Sequence, residues 1–204
     1  MFRIILFGLV ALSLAFLAYG LVSYNKAMNG VSNVPAGQVM GEKNGTLTVV
    51  EFLDYRCPFC RDIHPTITEA VERDQNIRYI VRPVVFVDPL SEVTARAAYA
   101  AVEQDKFEQF HNALIALPND PTEAAIQNIV REIGGDWQMF NADMESESAK
   151  DFVIDNVLAF RAIGGSQTPT FIIGHKMEYI PKDRMPDVLD FMRMFEEARQ
   201  LGLK

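Results

Sequence analysis

Cysteine is nearly absent from this chain. Of 204 residues only Cys57 and Cys60 are cysteine, and only three are histidine. A disulfide-stapled scaffold is therefore excluded, and any thiol chemistry must happen at one place. Glycine-rich phosphate loops and internal repeats are also missing. Positive charge is scarce, with 19 Lys and Arg against 27 Asp and Glu, a net charge of −8. That balance argues against nucleic acid as a partner.

One stretch lacks charge altogether, Ile4 to Val22. At about 1.5 Å per residue, a helix there would span roughly 28 Å, close to a bilayer core. Arg3 and the amino terminus precede it, so the positive-inside rule sends the remainder outward. The sequence thus predicts an uncleaved membrane anchor over 1–24. The competing reading is a signal peptide with a small-x-small cleavage site at Ala18, Tyr19 and Gly20. Both readings place the rest of the chain outside the cytoplasm, where disulfides persist.

The chemistry-bearing stretch is Leu47 to Cys60. Thr48, Val49, Val50, Phe52 and Leu53 form too continuous an apolar or β-branched run for a half-exposed strand. The run predicts a strand buried on both faces of a helix-covered sheet, with one acid, Glu51, inside it. The strand delivers Cys57 to a helix N-terminus, with Cys60 one turn on. Free N–H groups and the helix dipole there stabilise negative sulfur, and the thiolate is the attacking species. Cys57 is the expected nucleophile, with a lowered pKa, and Cys60 the resolving thiol. Pro58 suits the first turn, where its missing N–H is not needed. Arg56 and Arg61 should favour the thiolate, against Asp54 and Asp62. The pair could instead be half of a zinc site, with His64 on the same helical face and His111 or His175 completing it, but that ligand set is incomplete. A purely structural disulfide closing so short a loop would add little stability.

Residues 25–45, rich in Gly, Asn, Ser and Pro, are expected as a tether with an entry strand near Gln38 to Met40. Residues 46–90 read as strand, helix and second strand, Ile77 to Val81, in a βαβ crossover. Residues 91–164 are helical in pattern. Phe107, Phe110, Leu114 and Leu117 mark an apolar stripe, and His111 beside it is expected as a surface or cap histidine. In 165–204, Thr168 and Pro169 precede a hairpin through Gly174 and His175, and Pro181 to Pro186 opens a last helix.

This order of parts resembles the thioredoxin superfamily, and closely the DsbA-like thiol:disulfide oxidoreductases in their membrane-anchored, Com1-like branch. The strongest anchors are Val50 to Cys60 and Gly165 to Phe171. The resemblance implies an α/β thioredoxin fold with an inserted helical domain, preceded by one transmembrane helix. It implies an enzyme without a cofactor or metal. Cys57 would attack and Cys60 resolve, Pro169 would be a cis-proline facing them with Thr168 before it, and Glu51 would be the buried acid beneath the site. Pro58, Phe59, Thr168 and Pro169 would meet substrate.

Implied partners are unfolded or partly folded protein thiols and a quinone-linked DsbB-like membrane protein that reoxidises the pair. The short tether leaves no room for a dimerisation domain, so a monomer in the bacterial envelope is expected. Phe59 departs from the strongly oxidising members, which carry a histidine there. Two other readings stand beside the oxidase: a reductase or isomerase kept reduced by a membrane donor, and a binding or chaperone module with incidental cysteines.

Overall fold

The computed structural model describes residues 2–174, 176–179 and 184–203, apart from the side chains of 2–11, 24, 29 and 177–179. Its sheet contains β1 (Val39–Gly41), β2 (Leu47–Leu53), β3 (Ile77–Pro83), β4 (Thr170–Ile173) and β5 (Lys176–Tyr179). Their order is β1-β3-β2-β4-β5, with β2 parallel to β3 and the other neighbours antiparallel. The apolar run that marked β2 thus lies at the centre of the sheet, where both faces need cover.

The period of two along the strands sorts side chains into two cores. Val49, Leu53, Tyr79 and Val81 face one core with α2 (Pro58–Asp74) and α8 (Val188–Gln200). Val50, Phe52 and Ile80 face the other, under α7 (Glu147–Ala162) and the end of α1 (Phe2–Val31). The expected helical block is α3 (Ser91–Glu103), α4 (Phe107–Ile115), α5 (Glu123–Glu132) and α6 (Trp137–Met144), followed by α7. The block inserts Phe107, Phe110, Leu114, Ile126, Val130 and Phe140 into the α2 core. The fold is the expected thioredoxin architecture with a helical insertion.

Two expectations change. Residues 25–31, read as the start of a tether, continue α1, and Met28 and Val31 are buried in the second core. The composition suggested a linker, but two arginines on β3 hold this end. Arg82 donates from Nη1 to the carbonyls of Gly30 at 3.2 Å and Val31 at 2.9 Å, and Arg78 donates to that of Ser32 at 3.2 Å. Cations at a helix C-terminus satisfy its last carbonyls and oppose its dipole.

Among the described residues the last helix begins at Val188, after Pro186, because Asp187 caps it in a reciprocal box with Asp190. His175 and residues 180–183 lie outside the described residues. Among the described residues no helix is long and apolar enough to cross a membrane. The described part of the apolar run, from Leu12 to Val22, presents Leu12, Leu14, Phe16, Leu17, Tyr19, Leu21 and Val22 to solvent.

Candidate active site

Cys57 is the N-cap of α2, in extended backbone at φ −79° and ψ 118°, with Pro58 in the first turn. The loop that delivers it is organised by Asp54. The Asp54 carboxylate accepts from the N–H of Arg56 at 2.9 Å, Phe86 at 2.9 Å and Val87 at 2.8 Å. Its carbonyl accepts from the Cys57 N–H at 2.9 Å. Asp54 is therefore a loop organiser rather than an opposing charge, a role that an acid two residues before a turn can take. Arg56 and Arg61 are engaged by acids as well. Arg56 pairs with Asp88 and Asp120, and Arg61 with Asp120.

The two cysteines stand as free thiols with different environments. Cys57 is lowered to about 6, first by the hydrogen bond from the Cys60 thiol, with help from Thr168 and the N–H groups of Phe59 and Cys60 against its burial. Cys60, fully buried, is held well above the ordinary thiol value, first by burial and then by Cys57. One thiol is thus ready to ionise and the other is kept protonated, the asymmetry that an attacking and a resolving thiol require.

The Thr168–Pro169 bond is cis, as the resemblance implied. The Thr168 carbonyl accepts from Cys57 Sγ at 3.4 Å. The loop that brings it there starts at the end of α7, where Gly165 is obligatory in size: a Cβ would meet the Phe160 ring at 2.2 Å. Pro169 is buried, whereas Pro58 and Phe59 are exposed, Phe59 by 53%.

Beneath the pair lies Glu51, on the α2 face of β2 and without solvent exposure. Tyr79 Oη donates to its Oε2, and burial raises the carboxyl to about 8, with Tyr79 opposing that shift. Glu51 is therefore protonated near neutrality, unusual for a carboxyl and typical of functional acids. Tyr79 was not among the residues singled out in the sequence, since its place in an apolar strand reads as packing.

His111 corrects another expectation. It is fully buried, not at the surface, because α4 turns Phe107, Phe110, His111 and Leu114 inward together. Its Nδ1 meets the Tyr55 hydroxyl at 3.0 Å, Phe107 stacks on it, and His64 meets it edge-on at 4.9 Å. His64 and His111 thus lie together, but among the described residues no group of three or more His, Cys, Asp or Glu is arranged to hold a metal ion.

Comparison with known proteins agrees with this geometry. The family model described as Thioredoxin matches residues 33–190. A thioredoxin-like oxidoreductase from Silicibacter pomeroyi superposes with a TM-score of 0.76 at 29% identity, covering 84% of this chain and 97% of that one. The thiol-disulfide exchange protein alpha-DsbA2 from Wolbachia pipientis superposes with a TM-score of 0.69 at 24% identity, covering 87% and 97%, which shows the DsbA-type fold. A Na(+)/H(+) antiporter NhaA of Salinispora tropica is 28% identical over 163 residues, 79% of this chain. The chain spans about a quarter of the length of the curated relatives it matches first, 25% for that antiporter. With a Cys-x-x-Cys at the N-terminus of α2, a cis-proline opposite it and a family match across both, the chain belongs to the thioredoxin family.

Proposed function

We propose that this chain is an envelope thiol:disulfide oxidoreductase that forms disulfides in unfolded or partly folded proteins. The observation that carries the reading is the stabilised Cys57 thiolate, at about 6, beside a Cys60 thiol held protonated. Whatever stabilises the reduced pair makes its disulfide the stronger oxidant. A substrate thiolate attacks Cys57 Sγ, a mixed disulfide forms there, and a second substrate thiol releases the oxidised product. Thr168 and Pro169 line the approach to Cys57, and exposed Phe59 offers apolar contact to an unfolded chain.

The uncharged run from Ile4 to Val22 supports membrane attachment, with the catalytic domain in the periplasm and one chain as the working unit. A quinone-linked, DsbB-like membrane protein would then return the pair to its disulfide. The test is the redox equilibrium of the full chain in detergent against glutathione, read by thiol trapping. A potential well above that of thioredoxin, roughly −270 mV, supports the oxidase. A value near or below it makes the chain a reductase. Absence of a reversible two-electron couple would sink both.

A further inference from the structure

We propose that Tyr55, His111 and His64 form a proton path between solvent and the buried Glu51–Cys60 pair, an inference that rests on the exchange chemistry above. When a substrate thiolate attacks Cys57 of the disulfide, the S–S bond breaks and its electron pair goes to Cys60 Sγ. That sulfur is fully buried and takes a proton, and the protonated Glu51 carboxyl beneath it is the donor. A second substrate thiolate then attacks the substrate sulfur of the mixed disulfide, releasing product and the Cys57 thiolate. Glu51 is left as a carboxylate with no exposed surface, and in the reduced chain, where burial raises it to about 8, it takes a proton back before reoxidation begins.

A row of side chains leads outward from it. Glu51 Oε2 holds Tyr79, whereas Oε1 has no hydrogen-bond partner among the described residues. Tyr55, itself fully buried, lies in the same core cluster as Cys60 and Tyr79, and the Glu51 charge acts on all three. The Tyr55 hydroxyl meets His111 Nδ1 at 3.0 Å. His111 Nε2 has no partner among the described residues, and its ring meets His64 edge-on at 4.9 Å between centroids. His64 Nδ1 is likewise unpartnered, and His64, 9% exposed, is the outermost member.

The titratable groups around this row are Glu51 from β2, Tyr79 from β3, and Cys57 and Cys60 at the start of α2. Phe107 closes it on the α4 side. Burial holds both imidazoles neutral, so each can take up a proton in transit. Two imidazole nitrogens buried in an apolar core without a hydrogen-bond partner, on His111 and His64, are costly for stability alone. Tyr55 and His111 are positioning residues here, since they act on Cys60 only through Glu51.

The test follows the Glu51 proton directly, on the full reduced chain in detergent. The infrared band of its protonated carboxyl, identified by its loss in Glu51→Gln, shifts when the protein is moved into D2O, and the rate of that shift is the exchange rate. His111→Phe and Tyr55→Phe should each slow it by about ten-fold or more, the scale of a lost acid–base group. A merely structural role predicts the opposite sign, because loosened packing admits water and speeds exchange. Tyr55→Phe removes one oxygen and keeps the fold if His111→Phe does not. An unchanged or faster exchange in the folded variants overturns the proposal. A wild-type chain without thiol–disulfide exchange would instead sink the proposed function, with the proton exchange rates still readable.

Discussion

Two buried polar groups sit on opposite faces of the same sheet and are treated in opposite ways. Arg82, on the α1 and α7 face, has its donors engaged. Nε gives to Asn156 Oδ1 at 2.8 Å and Nη1 to the carbonyls of Gly30 and Val31, while the guanidinium lies 5.7 Å from the Phe52 ring centroid. Burial lowers it to about 10, which leaves it charged at neutral pH. Glu51, on the α2 face, has one oxygen bonded and one open, and burial makes it neutral instead. The satisfied group fixes a helix end. The half-satisfied group is free to exchange a proton, which is the use an active site makes of incomplete bonding.

The largest effect is expected where satisfaction is most complete. Arg82→Leu strands the carbonyls of Gly30 and Val31 and the Asn156 side chain. It should destabilise the fold by about 3–5 kcal/mol in urea unfolding. The Cys57 pKa, read from thiolate absorbance, should stay in place because the two faces are separate. A shifted thiolate would show that the faces are coupled.

Glu51→Gln should act the other way. Below pH 4.5 folded and unfolded chains both hold the Glu51 proton. Between 4.5 and about 8 only the folded chain keeps it, so this group's contribution to stability falls as pH rises through that window. At about 1.4 kcal/mol per pH unit, Glu51→Gln should be more stable than wild type by about 3 kcal/mol at pH 7, with the difference vanishing near pH 4. Equal stability at pH 7 would mean that Glu51 is ionised in the fold.

The smallest effect is at the rim of the site. Phe59→His offers a new hydrogen bond to the Cys57 thiolate, worth roughly 1.5–3 kcal/mol. It should raise the reduction potential by some tens of millivolts against glutathione. An unchanged or lower potential would show that position 59 does not reach the sulfur.

Much of the fold was legible because its signals are local. The apolar run at Leu47 to Leu53, the Cys-x-x-Cys after it and the helical spacing from Ser91 onward each report on a few neighbouring residues. The acid within that run was legible too, since a strand buried on both faces must bury it. His111 was misplaced because a histidine beside an apolar stripe reads the same whether its partner is water or Tyr55, which lies 56 residues away. The end of α1 was misread for the same reason: nothing in Met28 to Ser32 announces Arg78 and Arg82 across more than 40 residues of chain.

The sequence by itself determined where thiol chemistry can occur and which strand leads to it, since the chain holds only two cysteines and a buried apolar run ends at them. Only the tertiary structure decided which polar side chains are bonded and which are left open. Those properties depend on burial and on partners distant in sequence, and folding alone brings them together.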